Sequence, residues 1–480
     1  MAGEKLRAKR WLIGGLLVWL VLVSGYAIFK HSGLDRKLEQ RTAEFVGDIA
    51  HKRIAAHSAG NNNSAGRNAG ELEQIPVAAK AFNDFVYIAY GVGNTSLVHT
   101  ADGNVVIDTG LPIQGAKQKR LLQELAPGRT SHVILSHAHA DHSGGTRFWL
   151  EPGTEVVTAR EFVRKQEALN ELEPYFWNRN RLLYPFMPEE PPKDGAMFSY
   201  GGIKPTRTIR QDETYRFTQG GVRFEVISTP GAEGLDNICV WLPDHKILFT
   251  GDFFGPIFPM VPNLFTLRGE KFRPPVEYME SLEKILALEP DVIIPAHFEP
   301  VVGADDIRQK IQATLDATRY IHDQTLAGMN AGKSLWELMK DIHLPEELAL
   351  TQAHGKVSWN VRSIWEYYAT WFRFESTTEL YPVPVSAIYS ELRELAGGAA
   401  PLIRKAGGHF EAGDYEKALH YIEIAVSSGV DVDAEGLRLQ VLEAMLARAY
   451  EHGANYSETG WLSARIRDSK ARLATLTGEH

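Results

Sequence analysis

Four side chains able to bind a transition metal fall within six residues, His137-Ala138-His139-Ala140-Asp141-His142. An apolar run, Val133-Ile134-Leu135, precedes them and Ser143-Gly144-Gly145 follows, so the cluster stands where a strand opens into a loop. In a loop such side chains converge on one point, whereas a helix would spread them around its surface. Zn²⁺ accepts imidazole and carboxylate at about 2.0–2.2 Å, so one short loop can supply half of a two-metal site. The competing reading, a solvated His-rich loop, leaves the strand before it and the glycines after it unexplained.

The elements needed to present such a loop are visible around it. Residues 85–110 contain three short runs rich in Val, Ile and Tyr, with Asp102-Gly103 as a hairpin turn. A helical stretch follows at 117–125, then the buried strand before His137, then a helix after Gly145. Strands at 222–229 and 238–243 alternate with helices such as 276–288, which predicts an α/β layered domain. Beyond about residue 305 strands stop. Residues 413–429 and 434–453 resemble two helical hairpins of tetratricopeptide character, too few for a solenoid.

The chain has 480 residues, 44% of them hydrophobic, enough for a large core and incompatible with global disorder. Lys plus Arg number 51 against 60 Asp plus Glu, and the net charge of −9 argues against a nucleic-acid partner. A single cysteine, Cys239, excludes an intramolecular disulfide and any cysteine-rich zinc module. Metal binding must therefore use His, Asp and Glu. Residues 11–29 carry no charge and follow Lys5, Arg7, Lys9 and Arg10. That pattern predicts a single-pass transmembrane anchor with a cytoplasmic N-terminus and an extracytoplasmic catalytic domain, periplasmic in a bacterium. A cleaved signal peptide is the rival reading. The expected organisation is an anchor at 1–30, a juxtamembrane segment and Asn/Gly/Ser-rich linker at 31–75, a catalytic domain at 76–345 and a helical domain at 346–480.

The His137–His142 motif resembles the HxHxDH loop of the metallo-β-lactamase superfamily, and Asp108-Thr109-Gly110 is similar to that superfamily's first motif. Thr229-Pro230-Gly231-Ala232-Glu233 departs from the usual P-G-H and resembles the P-G-x-E of the linear alkyl sulfatase branch. Phe249-Thr250-Gly251-Asp252 and Pro295-Ala296-His297 resemble the remaining metal motifs. Asn263 to Gly269, NLFTLRG, and Gly355 to Val361, GKVSWNV, are similar to two further stretches of that branch, and the helices after Leu402 resemble its dimerisation domain.

The resemblance implies an αββα sandwich followed by a helical domain. It assigns His137, His139 and Glu233 to one zinc, Asp141, His142 and His297 to a second, and Asp252 as the bridge. Two zinc ions per chain would bring a shared water to a pKa near 7 and supply hydroxide. Asp141, Arg268 and Asn360 become the candidate catalytic residues, Arg268 because a guanidinium presents a fixed fork of donors to a tetrahedral oxyanion. Trp359 replaces the branch's histidine, and indole cannot shuttle a proton, so His354 is a candidate substitute. The expected function is hydrolysis of an anionic sulfate ester with an apolar tail, by a homodimer. Other ester classes (lactone, phosphoester, β-lactam) and a non-enzymatic tethered scaffold stay open as alternatives. Residues 253–262 form an apolar loop placed to line a channel or to pack in the core, and 175–192 read as an insertion able to act as a lid.

Overall fold

The computed structural model describes residues 77–183, 202–254, 257–271 and 273–478. Two β-sheets form the centre. The first has seven strands in sequential order: β1 (Ala78–Ala81), β2 (Val86–Tyr90), β3 (Thr95–Thr100), β4 (Gly103–Ile107), β5 (Thr130–Ile134), β6 (Glu155–Ala159) and β7 (Arg207–Ile209). The second contains β8 (Thr214–Gln219), β9 (Val222–Ser228), β10 (Ile238–Leu242), β11 (Ile247–Gly251), β12 (Val292–Pro295) and β13 (Val301–Val302), in the order β13-β12-β11-β10-β9-β8. Hairpins make most pairs antiparallel, whereas β4–β5, β5–β6, β6–β7 and β11–β12 are parallel because helices cross between them.

Alternate residues of each strand serve different layers. Val98, Val105, Ile107 and Ile134 of the first sheet meet Phe224, Val226, Val240 and Phe249 of the second in one buried cluster. The opposite face of the first sheet (Leu97, Val106, Val133) packs under Leu122 and Phe162 of the helices Pro112–Leu125 and Arg160–Glu171. The outer face of the second (Cys239, Trp241, Leu248) packs under Leu282 of Pro275–Leu286 and Ile311 of Ala304–Asn330. The expected αββα layering is therefore present.

The helical region begins where Ala304–Asn330 and Leu335–Asp341 share a core with Val357–Ala369 through Ile321, Leu338 and Val361. Each segment expected to form a hairpin is instead essentially one helix, Tyr415–Ala425 and Val432–Glu451. Their partners are Ala399–Glu411 before and Tyr456–Thr477 after, packed around Ala406, Ile422 and Leu442.

The expectation of a membrane-anchored protein is corrected. Among the described residues no helix is long and apolar enough to cross a membrane, and residues 11–29 lie outside them. The longest helix, Ala304–Asn330, buries Ile307, Ile311 and Ile321 on one face while Asp305, Arg308 and Arg319 form exposed ion pairs, the division of a helix lying on a protein core. The extracytoplasmic location rested on that anchor and falls with it.

Candidate metal centre

The carboxyl ends of β4, β5, β9, β11 and β12 all open onto one edge of the sandwich, and each releases a site residue there. β4 ends in Asp108, the loop after β5 carries His137 to His142, β9 leads to Glu233, β11 to Asp252 and β12 to His297. Two glycines make the approach close enough. Gly231 (φ 93°) would put a Cβ 2.4 Å from Tyr278 N, and Gly251 (φ 57°) would put one 2.5 Å from Ser136 Cβ, so neither position admits a side chain.

The seven sequence-predicted ligands come together as three overlapping groups whose ligand atoms lie within 4.8 Å of one another: His137, His139 and Glu233; His137, His142 and Asp252; and Asp141, His142 and His297. Asp252 thus lies between the two outer sets. Its Oδ1 is 3.1 Å from His297 Nε2 and its Oδ2 3.3 Å from His142 Nε2. His142 Nε2 and Asp252 Oδ1 are buried without a partner in hydrogen-bonding geometry. Two inward-facing donor atoms of the right chemical type, orphaned in a buried cluster, are what a bound divalent cation would satisfy, so the residues fit the metal that the sequence implies.

Each histidine turns one nitrogen inward and anchors the other. His142 Nδ1 donates to Asp108 Oδ2 at 3.1 Å, and His297 Nδ1 donates to the Val92 carbonyl at 2.5 Å. His137 Nδ1 lies 3.0 Å from Ser136 Oγ, which itself donates to Asp108 Oδ2 at 2.8 Å. His139 Nε2 donates to Glu270 at 3.0 Å, leaving Nδ1 to face His137 Nε2 at 2.8 Å and Glu233 Oε2 at 3.4 Å. Such outer partners fix ring orientation and tautomer. The backbone is pinned as well, since Asp236 Oδ2 accepts from Ala138 N at 2.9 Å.

The electrostatics follow from crowding charges in a buried space. Burial opposes ionisation of Asp252 and Asp141, but His142 and His297 outweigh it and hold both carboxyls below their ordinary range. Burial likewise works against a charged His142, and Asp252 and Asp141 overcome it, raising its pKa. His137 is pushed down by burial and then by His142 and His139. Burial pushes Glu233 up, with Arg273 the main opposing influence, and the two form a buried ion pair.

Arg268 reaches the same corner: its Nη2 is 4.0 Å from Glu233 Oε2 and 3.9 Å from Glu270 Oε1. Its side chain is 25% exposed and that of Asp141 24%, whereas the four histidines are at most 5% exposed, so Arg268 and Asp141 mark the open side. Asn360 is buried on the helix Val357–Ala369, where its Nδ2 donates to Pro262 O at 2.8 Å and its Oδ1 accepts from Leu264 N at 3.3 Å. It thereby clamps the loop that leads to Arg268. Phe253, Phe254, Met260 and Val261 of the apolar loop are buried in the core. Of the insertion, Phe176, Trp177 and Leu183 are buried, and residues 184–201 lie outside those described. Glu270, Arg273, Lys165 and Asp236 were not singled out from the sequence. Their one local signal is that Glu270 and Arg273 directly continue the NLFTLRG stretch.

The metallo-beta-lactamase superfamily pattern matches residues 89–297, and the alkyl sulfatase dimerisation pattern matches residues 335–461. The chain carries a metallo-beta-lactamase superfamily domain followed by an alkyl sulfatase dimerisation domain. The chain is 28% identical over 345 residues to a Pseudomonas linear primary-alkylsulfatase, covering 67% of this chain and 64% of the relative. It is 25% identical over 362 residues to an alkyl/aryl-sulfatase of Saccharomyces cerevisiae, covering 69% and 55%. The match therefore spans between about half and two thirds of those relatives' own length. In fold it is similar to the solved stereoselective inverting sec-alkylsulfatase from Pseudomonas, with a TM-score of 0.73 at 22% identity, over 87% of this chain and 70% of that one.

Proposed function

We propose that this metallo-β-lactamase-fold chain is a dinuclear zinc hydrolase of sulfate esters of apolar alcohols. The observation that carries the reading is the placement of Arg268 at the open side of a buried seven-residue donor set, beside Glu233. Alkylsulfatase relatives over two thirds of the chain support the substrate class.

Divalent metal ions bound there supply Lewis acidity and a nucleophile from water near neutral pH. The residues of the chain do the rest. His137, His139 and Glu233 would hold one ion and Asp141, His142 and His297 the other, with Asp252 between the two sets. Burial of these groups keeps bulk water from screening the charges that act on the ester. Arg268 binds the anionic sulfate and opposes the charge that develops as the ester bond breaks. Asn360 acts through the loop it holds.

The dimerisation domain supports a homodimer, and its surface has the means. Trp371, Phe374, Tyr381, Val385 and Leu395 are each more than half exposed along one segment. The purified protein should release sulfate from a medium-chain alkyl sulfate faster than it turns over phosphate, lactone or β-lactam esters. A lactone or phosphoester turned over faster than every sulfate ester would replace the substrate assignment, and light scattering that finds only monomer would remove the dimer.

A further inference from the structure

Three of the four site histidines anchor their outward nitrogen to groups on strand ends or the loops beside them: Val92 O, Ser136 Oγ and Asp108. His139 Nε2 instead reaches the segment between β11 and the helix Pro275–Leu286, where its partner is an acid 131 residues away, Glu270. Both Glu270 oxygens lie within reach of His139 Nε2, at 3.0 and 3.2 Å.

The loop is built to hold that acid there. Gly269 and Glu270 both adopt positive φ, 97° and 85°. For Gly269 this is natural; for a glutamate it is a sparsely populated conformation that surrounding structure must enforce. The enforcement comes from Arg179 on the helix Glu173–Leu183, whose Nη2 donates to Leu267 O at 2.8 Å and Nε to Arg268 O at 2.9 Å. Two cations flank the carboxylate, Lys165 Nζ at 3.4 Å and Arg268 Nη2 at 3.9 Å. Its side chain is only 13% exposed.

We propose that Glu270 is a positioning residue for the first metal site: it fixes His139 with Nε2 protonated and Nδ1 free to bind, and couples that ligand to the anion-binding Arg268. The inference rests on the two-metal reading above. Glu270 does for His139 what Asp108 does for His142, and a carboxylate acceptor also makes the imidazole a stronger ligand. Because the same carboxylate faces Arg268, the loop that recognises the anion and the ligand that holds the metal move as one unit.

The test is zinc uptake by the full chain, stripped of metal and titrated with Zn²⁺ against a chelator, for the wild type, Glu270→Gln and Glu270→Ala. The wild type should bind two equivalents. In Glu270→Ala one equivalent should weaken by about 10–100-fold while the other is unchanged. Glu270→Gln, nearly isosteric and still an acceptor, should fall between, which separates positioning from a folding defect. Histidine side-chain NMR of the zinc-loaded wild type should show His139 protonated on Nε2. Unchanged affinity for both equivalents in both variants, or His139 protonated on Nδ1, would overturn the proposal and leave the hydrolase reading standing. A wild type that binds no zinc would overturn both.

Discussion

Oε2 of Glu233 is bonded directly by Nη2 of Arg273, with both side chains 3% exposed, and the same oxygen lies 3.4 Å from His139 Nδ1. The residue expected to ligate metal is thus held by a buried cation from another loop. Arg273 has a second task, since its Nη1 donates to Asn263 O at 2.7 Å. Removing one partner of a buried pair strands the other, at a cost of about 3–5 kcal/mol. Arg273→Met should show that loss in urea denaturation, together with weaker binding of one metal equivalent. A loss under about 1 kcal/mol would mean that Glu233 does not depend on Arg273.

His354 gives a pH signature. Its Nδ1 is buried without a partner, and burial, then Arg273 and Arg268, lower its pKa to about 3 from the ordinary 6.5. The folded protein therefore keeps it neutral while the unfolded chain takes up a proton below 6.5. Its contribution is fully present above pH 6.5 and is lost progressively as pH falls towards about 3. The slope for one such group is about 1.4 kcal/mol per pH unit. Urea denaturation at successive pH values should show His354→Gln losing less stability than the wild type between pH 6 and 4. Parallel curves would place His354 in a more solvated setting.

The chain's residues differ in how openly they announce themselves. His137, His139, Asp141 and His142 are adjacent in the chain, so a strand opening into a loop suffices to bring them together and the pattern is local. Glu233, Asp252 and His297 were legible only because short motifs accompany them. Asp108 was visible as a motif, but its task, accepting from His142 34 residues on, exists only once β4 and β5 pair. Lys165 and Asp236 are lone charged residues on separate elements, and Glu270 and Arg273 share one loop whose NLFTLRG stretch is their single local signal; nothing else in these neighbourhoods separates them from the solvated charges of any surface. The helical region shows the same limit. Apolar spacing reveals that 415–425 and 432–451 each have a buried face but not which helix covers it, so single helices were read as hairpins.

Arg268 separates sulfate esters from neutral ones. Arg268→Lys keeps the charge and loses the bidentate fork. Metal content and fold should be retained, with sulfate-ester turnover reduced by roughly 10²–10³, by analogy with removing one oxyanion donor. Side activity on neutral lactones should be largely spared. Equal loss on both substrates would assign Arg268 to the scaffold, where its contacts with Glu233 and Glu270 already place it.

The account depends most on the donor cluster being a two-metal catalytic centre, and elemental analysis paired with sulfate release tests that directly. The wild type should carry two zinc ions per chain and hydrolyse an alkyl sulfate. His137→Ala and His297→Ala, which remove one ligand from each of the two outer groups, should each lose metal and activity while remaining folded by circular dichroism. Full metal occupancy with wild-type sulfate release in both variants would contradict the assignment.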